Sequence, residues 1–502
     1  MDERDFFDGA QGLCMKVSLF VFTFLLAGSA LAEKPFPNAT PISGIEIPLS
    51  SDTFDGWELK EFGHKAVLDF EEKMQGRASL RFDSTDRPKS SGLDHSLSPA
   101  TISEYAFRFT GYVRTAELTG GASLYVVVHK ADGTRYFDFL PEEVVSGSTQ
   151  WTKLELLIPK FSEVANASFG VLVWGKGSAW FDDLRMTSID KHAPLSEQAS
   201  TYLATALDTM EQNSIRRDSV NWSQVRESAY MLAAGSETTR DTYPAIEVAI
   251  RLLEDGHSHF YTPGGAKSLQ GDATENAVLG PWVAPSGELL DSKIGYVSVP
   301  GFQGTNPTRT TRFADQLQAE IARLDSAHPC GWIVDLRNNW GGNVFAMLAG
   351  IGPLLGNGNA GGGVTAEGRT IFRAYNDGNS GDASISKAPY VLSTSNPPIA
   401  VLIGSKTASS GEALALAFIG KANTRTFGLP SAGATTGNSP FPLSDGAVLN
   451  LAITHMMDSA GKVYTGKIEP DVRVESEGVD AAIGEATNWL NERCREVSDT
   501  AR

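Results

Sequence analysis

Cysteine is scarce, three residues in a chain of 502, which excludes a disulfide-built scaffold and a cysteine-rich zinc module. Long apolar runs are almost absent as well. The one near either end, SLFVFTFLLA at 18–27, has ten residues, where a membrane-spanning helix needs about twenty. Basic residues are outnumbered, 42 Lys and Arg against 60 Asp and Glu, for a net charge of −18. A chain this acidic excludes nucleic acid and an anionic membrane as its main partners, because counterion release needs clustered cations. There is no internal repeat and no nucleotide-binding loop. His257 and His259 lack a convergent Cys or carboxylate set, so neither a metal nor a cofactor is expected. The remainder, 41% hydrophobic and 20% charged, is ordinary globular composition. At about 150 residues per domain the length predicts two to four domains.

The apolar run is preceded by Lys16 and followed by Ala30-Leu31-Ala32, a small-x-small cleavage pattern. Together these predict a cleavable signal peptide over 1–32. The acidic stretch before Cys14 suits such a signal badly, and Met15 is the expected start. Cleavage after Ala32 removes four acidic and two basic residues, leaving a net charge of −16, and it leaves two cysteines, Cys330 and Cys494. These are compatible with one disulfide, with the pairing left open. The reading is an exported protein, periplasmic or secreted, with no integral membrane segment after cleavage.

Three regions follow. Over 45–190, short alternating segments such as YAFRFTGYVRT and SLYVVVHK are punctuated by Gly, Ser, Asp and Pro, predicting an all-β jelly-roll sandwich. TQWTKLELLIP and AWFDDLRM resemble galactose-binding-like modules, which implies a glycan as a partner. Trp57, Trp151, Trp174 and Trp180 would form a sugar platform or, as the plainer expectation, pack into the core. Over 191–262 the apolar period becomes helical, predicting a small bundle. From 278 to 490 strands alternate with helices, predicting an α/β core with its ligands at the strand ends.

Three strings in these regions carry chemistry. In PIAVLIGSKTASSGEALALAF, 398–418, an apolar strand stops at Gly404 and a polar turn enters a helix. A serine at such a junction lies at the positive end of the helix dipole, beside free N–H groups. That suits a nucleophile and an oxyanion hole. The plainer reading is a helix cap, with Glu412 completing a capping box. CGWIVDLRNNWGGNV, 330–344, is a buried strand ending in a Gly-Gly turn, which leaves an amide exposed. Asp255-Gly-His-Ser-His259 holds two of the eight histidines.

Taken in order, DLRNNWGG, TASSGEALA, GLPSAGATTGN and KIEPD resemble the catalytic core of the C-terminal processing (tail-specific) protease and tricorn superfamily of serine peptidases, over roughly 245–475. The resemblance implies an α/β (ClpP/crotonase-like) fold with Ser409 as nucleophile. It also implies an oxyanion hole from the amides of Gly342, ahead of Gly341, and Ser410. Relatives of the Ser/Lys type carry a lysine where Ala434 stands, so a Ser/Lys dyad is not expected. The tricorn-like branch uses a histidine base, matched by His257 with His259 as runner-up. That branch also supplies a late glutamate, for which Glu469 is the nearest candidate and Tyr464 the alternative. The interval from Pro263 to Lys293 leaves no room for the PDZ domain of many relatives. The expected activity is serine-type peptide hydrolysis on a peptide or protein substrate. The competing expectation is an inactive member that binds peptides or lipophiles. A glycan-cleaving sandwich is disfavoured, because Asp182 and Asp183 point to opposite faces of a strand.

Overall fold

The computed structural model describes residues 45–46 and 57–500, apart from 87, 141–142, 190–192, 271–282, 292 and 476–478. The apolar run and the expected cleavage site lie outside the described residues. The chain folds as two compact units, one holding residues up to Glu211 with Ser219–Glu254, the other Gln212–Asp218 with Asp255 onward.

The first unit contains two antiparallel sheets. One is ordered Thr152–Ile158, Phe107–Ala116, Ser178–Ser188, Ser79–Ser84, His64–Asp69. The other is ordered Trp57–Lys60, Ser91–Leu97, Val164–Trp174, Leu118–Lys130, Arg135–Phe139. Every second side chain of Phe107–Ala116 is buried, as a strand with one core face requires. Phe82, Phe109 and Phe181 of the first sheet meet Leu124, Phe169 and Val171 of the second in one core. Trp174 and Trp180 are buried. Trp180 lies against the guanidinium groups of Arg81 and Arg114 and donates Nε1–H to Asp69, so these two rings pack rather than form an open platform.

The segment expected as a helical bundle forms the helices Glu197–Asn213, Trp222–Leu232 and Tyr243–Arg251. They cluster with the sandwich, except where the first helix ends. Arg251 reaches the buried Asp138 of a sandwich strand at 2.6 Å, and Tyr136 donates to the same carboxylate. The Arg251–Asp138 pair links the helix Tyr243–Arg251 to the sheet.

The second unit carries the elements β1 (His259–Tyr261), β2 (Ser286–Leu290), β3 (Ile294–Ser298), α1 (Pro307–Asp325), β4 (Gly331–Asp335), α2 (Val344–Leu355), β5 (Gly358–Thr365) and β6 (Thr370–Tyr375). After them come β7 (Ile399–Ile403), α3 (Ser410–Phe418), β8 (Thr424–Gly428), β9 (Thr436–Pro442), β10 (Val448–Met457), β11 (Val463–Tyr464), β12 (Val472–Arg473) and α4 (Val479–Thr500). One sheet is ordered β2-β3-β4-β7-β8-β12, parallel from β3 onward. The other is ordered β1-β10-β5-β6, with β9 and β11 also on β10. Every residue of β4 and β7 is buried. Val334, Val401 and Ile403 join the core built with α1–α3, whereas Ile333, Ala400 and Leu402 face Ala486 and Leu490 of α4. Strands covered on both faces read as unbroken apolar runs, which is why this α/β core was visible in the sequence.

Cys330 at the entry to β4 is joined to Cys494 of α4, closing a separation of 164 residues. Replacing both cysteines by alanine is expected to lower the unfolding free energy by about 2–5 kcal/mol. The measurement is a denaturant midpoint, and an unchanged midpoint would show that the tether adds nothing.

Candidate active site

β7 ends at Ile403, and the turn that follows is pinned by the buried Thr407, whose hydroxyl donates to the Leu336 carbonyl at 2.8 Å. α3 begins at Ser410, leaving Ser409 as the last residue before the helix, with φ +51° and ψ −119°. A non-glycine residue there is strained. The Ser409 amide donates to Glu412 Oε2 at 2.8 Å, and the Ser409 carbonyl accepts from Ala413 at 2.9 Å. Glu412 thus supplies its half of the expected capping box. The Ser409 hydroxyl supplies the other half, facing the Glu412 amide, and the same Oγ lies 2.9 Å from Nε2 of His257.

Glu412 is fully buried. Its other oxygen accepts from the Ser431 hydroxyl at 2.5 Å and the Gly433 amide at 2.8 Å. Burial pushes its pKa up to about 7, against the pull of these donors. One carboxylate therefore joins the backbone of Ser409 to the loop that leads into β9.

His257 sits in a turn built by Asp255, whose Oδ1 accepts from the amides of His257 and Ser258 and whose Oδ2 accepts from the Ser258 hydroxyl. Ser258 Oγ in turn accepts from Ala452 of β10, and Asn438 donates to the His257 carbonyl. The ring is held at both nitrogens, with Nδ1 2.6 Å from Thr436 Oγ1. With Nδ1–H donated to Thr436, Nε2 is left free to accept the Ser409 proton. Burial lowers the His257 pKa, opposed by the charge of Asp255. The ring therefore rests neutral, as a base must.

The Gly-Gly turn packs directly on this serine. Gly341 and Gly342 adopt φ of +112° and +110°, and a Cβ on Gly341 would lie 2.9 Å from Ser409 Cβ and 3.1 Å from the Ser410 nitrogen. Gly341 spends its amide on Asn339 Oδ1 at 3.0 Å. The amides of Gly342 and Ser410 have no acceptor among the described residues, while Ser410 Oγ donates to the Gly342 carbonyl at 2.6 Å. Two free N–H groups beside a hydroxyl, at a helix N-terminus, can hold a developing oxyanion.

The structure thus brings together Ser409, His257, Gly342 and Ser410. His259 is not at the hydroxyl: it opens β1 with its ring 6.4 Å from that of His257, edge-on, and burial pushes its pKa down to about 4. Glu469 is not brought to the pair. Its neighbour Ile468 is buried and donates its amide to Ser431, so in this extended stretch Glu469 points outward. Its side chain is 64% exposed and its carboxylate faces Arg473. Tyr464 donates to Asp458 instead. The position expected for a carboxylate is held by Thr436, a residue inside the quoted string GLPSAGATTGN that sequence reasoning passed over.

Residues 293–474 match the model of peptidase family S41. A nisin-resistance protein from Lactococcus lactis subsp. lactis is 26% identical over 297 residues, covering 59% of this chain and 87% of its own length. The photosystem II D1 C-terminal processing protease aligns with 15% identity and a TM-score of 0.44, over 58% of this chain and 98% of that one. The xylan-binding CBM22-1 domain of Paenibacillus barcinonensis Xyn10C aligns with 18% identity and a TM-score of 0.22, over 29% of this chain and 92% of that one.

Two outcomes follow from the site. If neutral His257 accepts the proton, kcat/KM rises with pH through an apparent pKa below the ordinary 6.5 and holds above it. A pH–rate profile with its acid limb centred above 7 would exclude His257 as the base. Glu412→Ala strands three donors under a strained serine, and it is expected to cost about 3 kcal/mol in denaturant unfolding. A cost below about 0.5 kcal/mol, the range of ordinary surface substitutions, would remove Glu412 as the anchor.

Proposed function

We propose, on the match of residues 293–474 to the model of peptidase family S41, that the protein is a serine peptidase hydrolysing peptide bonds through an acyl-enzyme. The observation that carries the proposal is the 2.9 Å contact between Ser409 Oγ and His257 Nε2. Ser409 Oγ attacks the substrate carbonyl as its proton passes to Nε2. The oxyanion is received by the Gly342 and Ser410 amides, and His257 then gives the proton to the leaving amine. Water, activated by the same nitrogen, releases the acyl group. Thr436 accepts Nδ1–H in this tautomer and orients the ring. A hydroxyl cannot balance the imidazolium that forms, and the negative field comes from Asp255 at the base of the turn.

The joined Cys330–Cys494 pair supports action outside the reducing cytoplasm, in keeping with the apolar run at 18–27. The substrate class is peptide.

The test is phosphonylation of the purified protein by a fluorophosphonate probe, with hydrolysis of a fluorogenic peptide chosen from a library. Ser409→Ala and His257→Ala are each expected to abolish labelling and to lower kcat by about 10⁴-fold or more. Full labelling in either variant would remove that residue from the mechanism. A folded wild type that neither labels nor hydrolyses would leave a peptide-binding protein.

A further inference from the structure

Asn339 is fully buried in the Gly-Gly turn, and it is bonded within that turn, to the strap at Val299 and to the turn that leads into Ser409. Its Oδ1 accepts from the Gly341 amide at 3.0 Å. Its Nδ2 donates to the carbonyl of Val299 at 3.1 Å, in the strap that runs on to Phe302. Its own carbonyl accepts from the amide of Ala408 at 3.0 Å, the residue before the serine. The contact with α3 is equally close, since a Cβ on Gly411 would lie 2.2 Å from the Asn339 carbonyl oxygen. The strap is tied to the same turn by two further bonds, Phe302 N–H to Gly341 and Asn343 N–H to the Phe302 carbonyl. None of these contacts touches the imidazole or the hydroxyl.

Resting on the peptidase reading above, we propose that Asn339 is the positioning residue of the oxyanion hole. By taking the Gly341 amide it holds the turn in the left-handed conformation that leaves the next amide, Gly342, as the free donor. Its carbonyl bond to Ala408 sets that donor against the Ser410 amide. An asparagine suits the place because the site demands both an acceptor, for Gly341, and a donor, for Val299, within one short side chain. With that side chain removed, the Gly341 amide is free to turn, and the two donors no longer converge. The nucleophile and the base keep their geometry, because Glu412, Asp255 and Thr436 hold them independently.

The experiment separates the oxyanion hole from the hydroxyl–imidazole pair. Asn339→Ala is expected to lower kcat for the fluorogenic peptide by about 10²-fold, the scale of losing one oxyanion donor, with KM changed less than about threefold. In a Ser409→Cys background, alkylation by iodoacetamide needs the thiolate and His257 but no oxyanion hole. Adding Asn339→Ala there is expected to leave the alkylation rate and its pH profile within about twofold. Asn339→Asp, whose carboxyl stays protonated in this buried place and so keeps both the acceptor for Gly341 and a donor for Val299, is expected to recover at least about tenfold of the lost kcat. An Asn339→Ala enzyme with unchanged kcat overturns the proposal, as does one whose alkylation falls in parallel with hydrolysis. If the alanine variant does not fold, the aspartate variant decides alone: a loss beyond about tenfold against wild type overturns the proposal. A wild type that neither labels nor hydrolyses overturns the peptidase reading together with it.

Discussion

The site depends on one strained residue. Ser409 is forced into a left-handed conformation at the junction of β7 and α3, and strain of that kind persists only where the surroundings over-determine it. Here a buried carboxylate does so. Glu412 takes the Ser409 amide on one oxygen, and the Ser431 hydroxyl and Gly433 amide on the other. With the amide committed to Glu412, the hydroxyl stands at the helix N-terminus within reach of His257. The same carboxylate also holds the loop that delivers Thr436, so the two sides of the imidazole are set from one buried group.

Electrostatics then keep the pair at rest in the form that proton transfer from hydroxyl to imidazole needs. Burial disfavours the charged imidazole more than Asp255 favours it, so the ring is neutral and its outer nitrogen is an acceptor. The positive end of α3 and two unpaired amides face the place where negative charge would develop. Thr436 in place of a carboxylate orients without adding charge. An imidazolium formed in the proposed reaction would therefore be left to a carboxylate that bonds the turn backbone and not the ring.

Rigidity comes from the layer beneath. β4 and β7 are buried along their whole length, and their ends carry the glycine turn and the serine side by side. Parallel pairing brings both carboxyl ends to one edge, where ligands of such sheets sit. α4 covers the opposite face and is tied to β4 through Cys330 and Cys494.

Much of this was legible in the chain. IAVLI and GWIVD are unbroken apolar runs because both their faces are covered, and the Gly-Gly turn is demanded where a Cβ on Gly341 would lie 2.9 Å from that of Ser409. The motif order pointed to the family, and the resemblance singled out Ser409, Gly342 and Ser410, which lie at the ends of their own elements. Local spacing could not decide what reaches His257 from far along the chain. Thr436 meets it because β9 pairs with β10 across a register shift between Gly437 and Asn438, and β10 also holds β1, the strand that begins beside His257. Glu469 turns away because Ile468 is drawn inward. Nor did helical periodicity show that the segment after the sandwich would find its partner in Asp138, a carboxylate more than a hundred residues earlier. Apolar period and turn chemistry act between neighbours in sequence and were readable there. The third group at the imidazole and the grouping of the helices rest on contacts between distant residues, and only tertiary packing decided them.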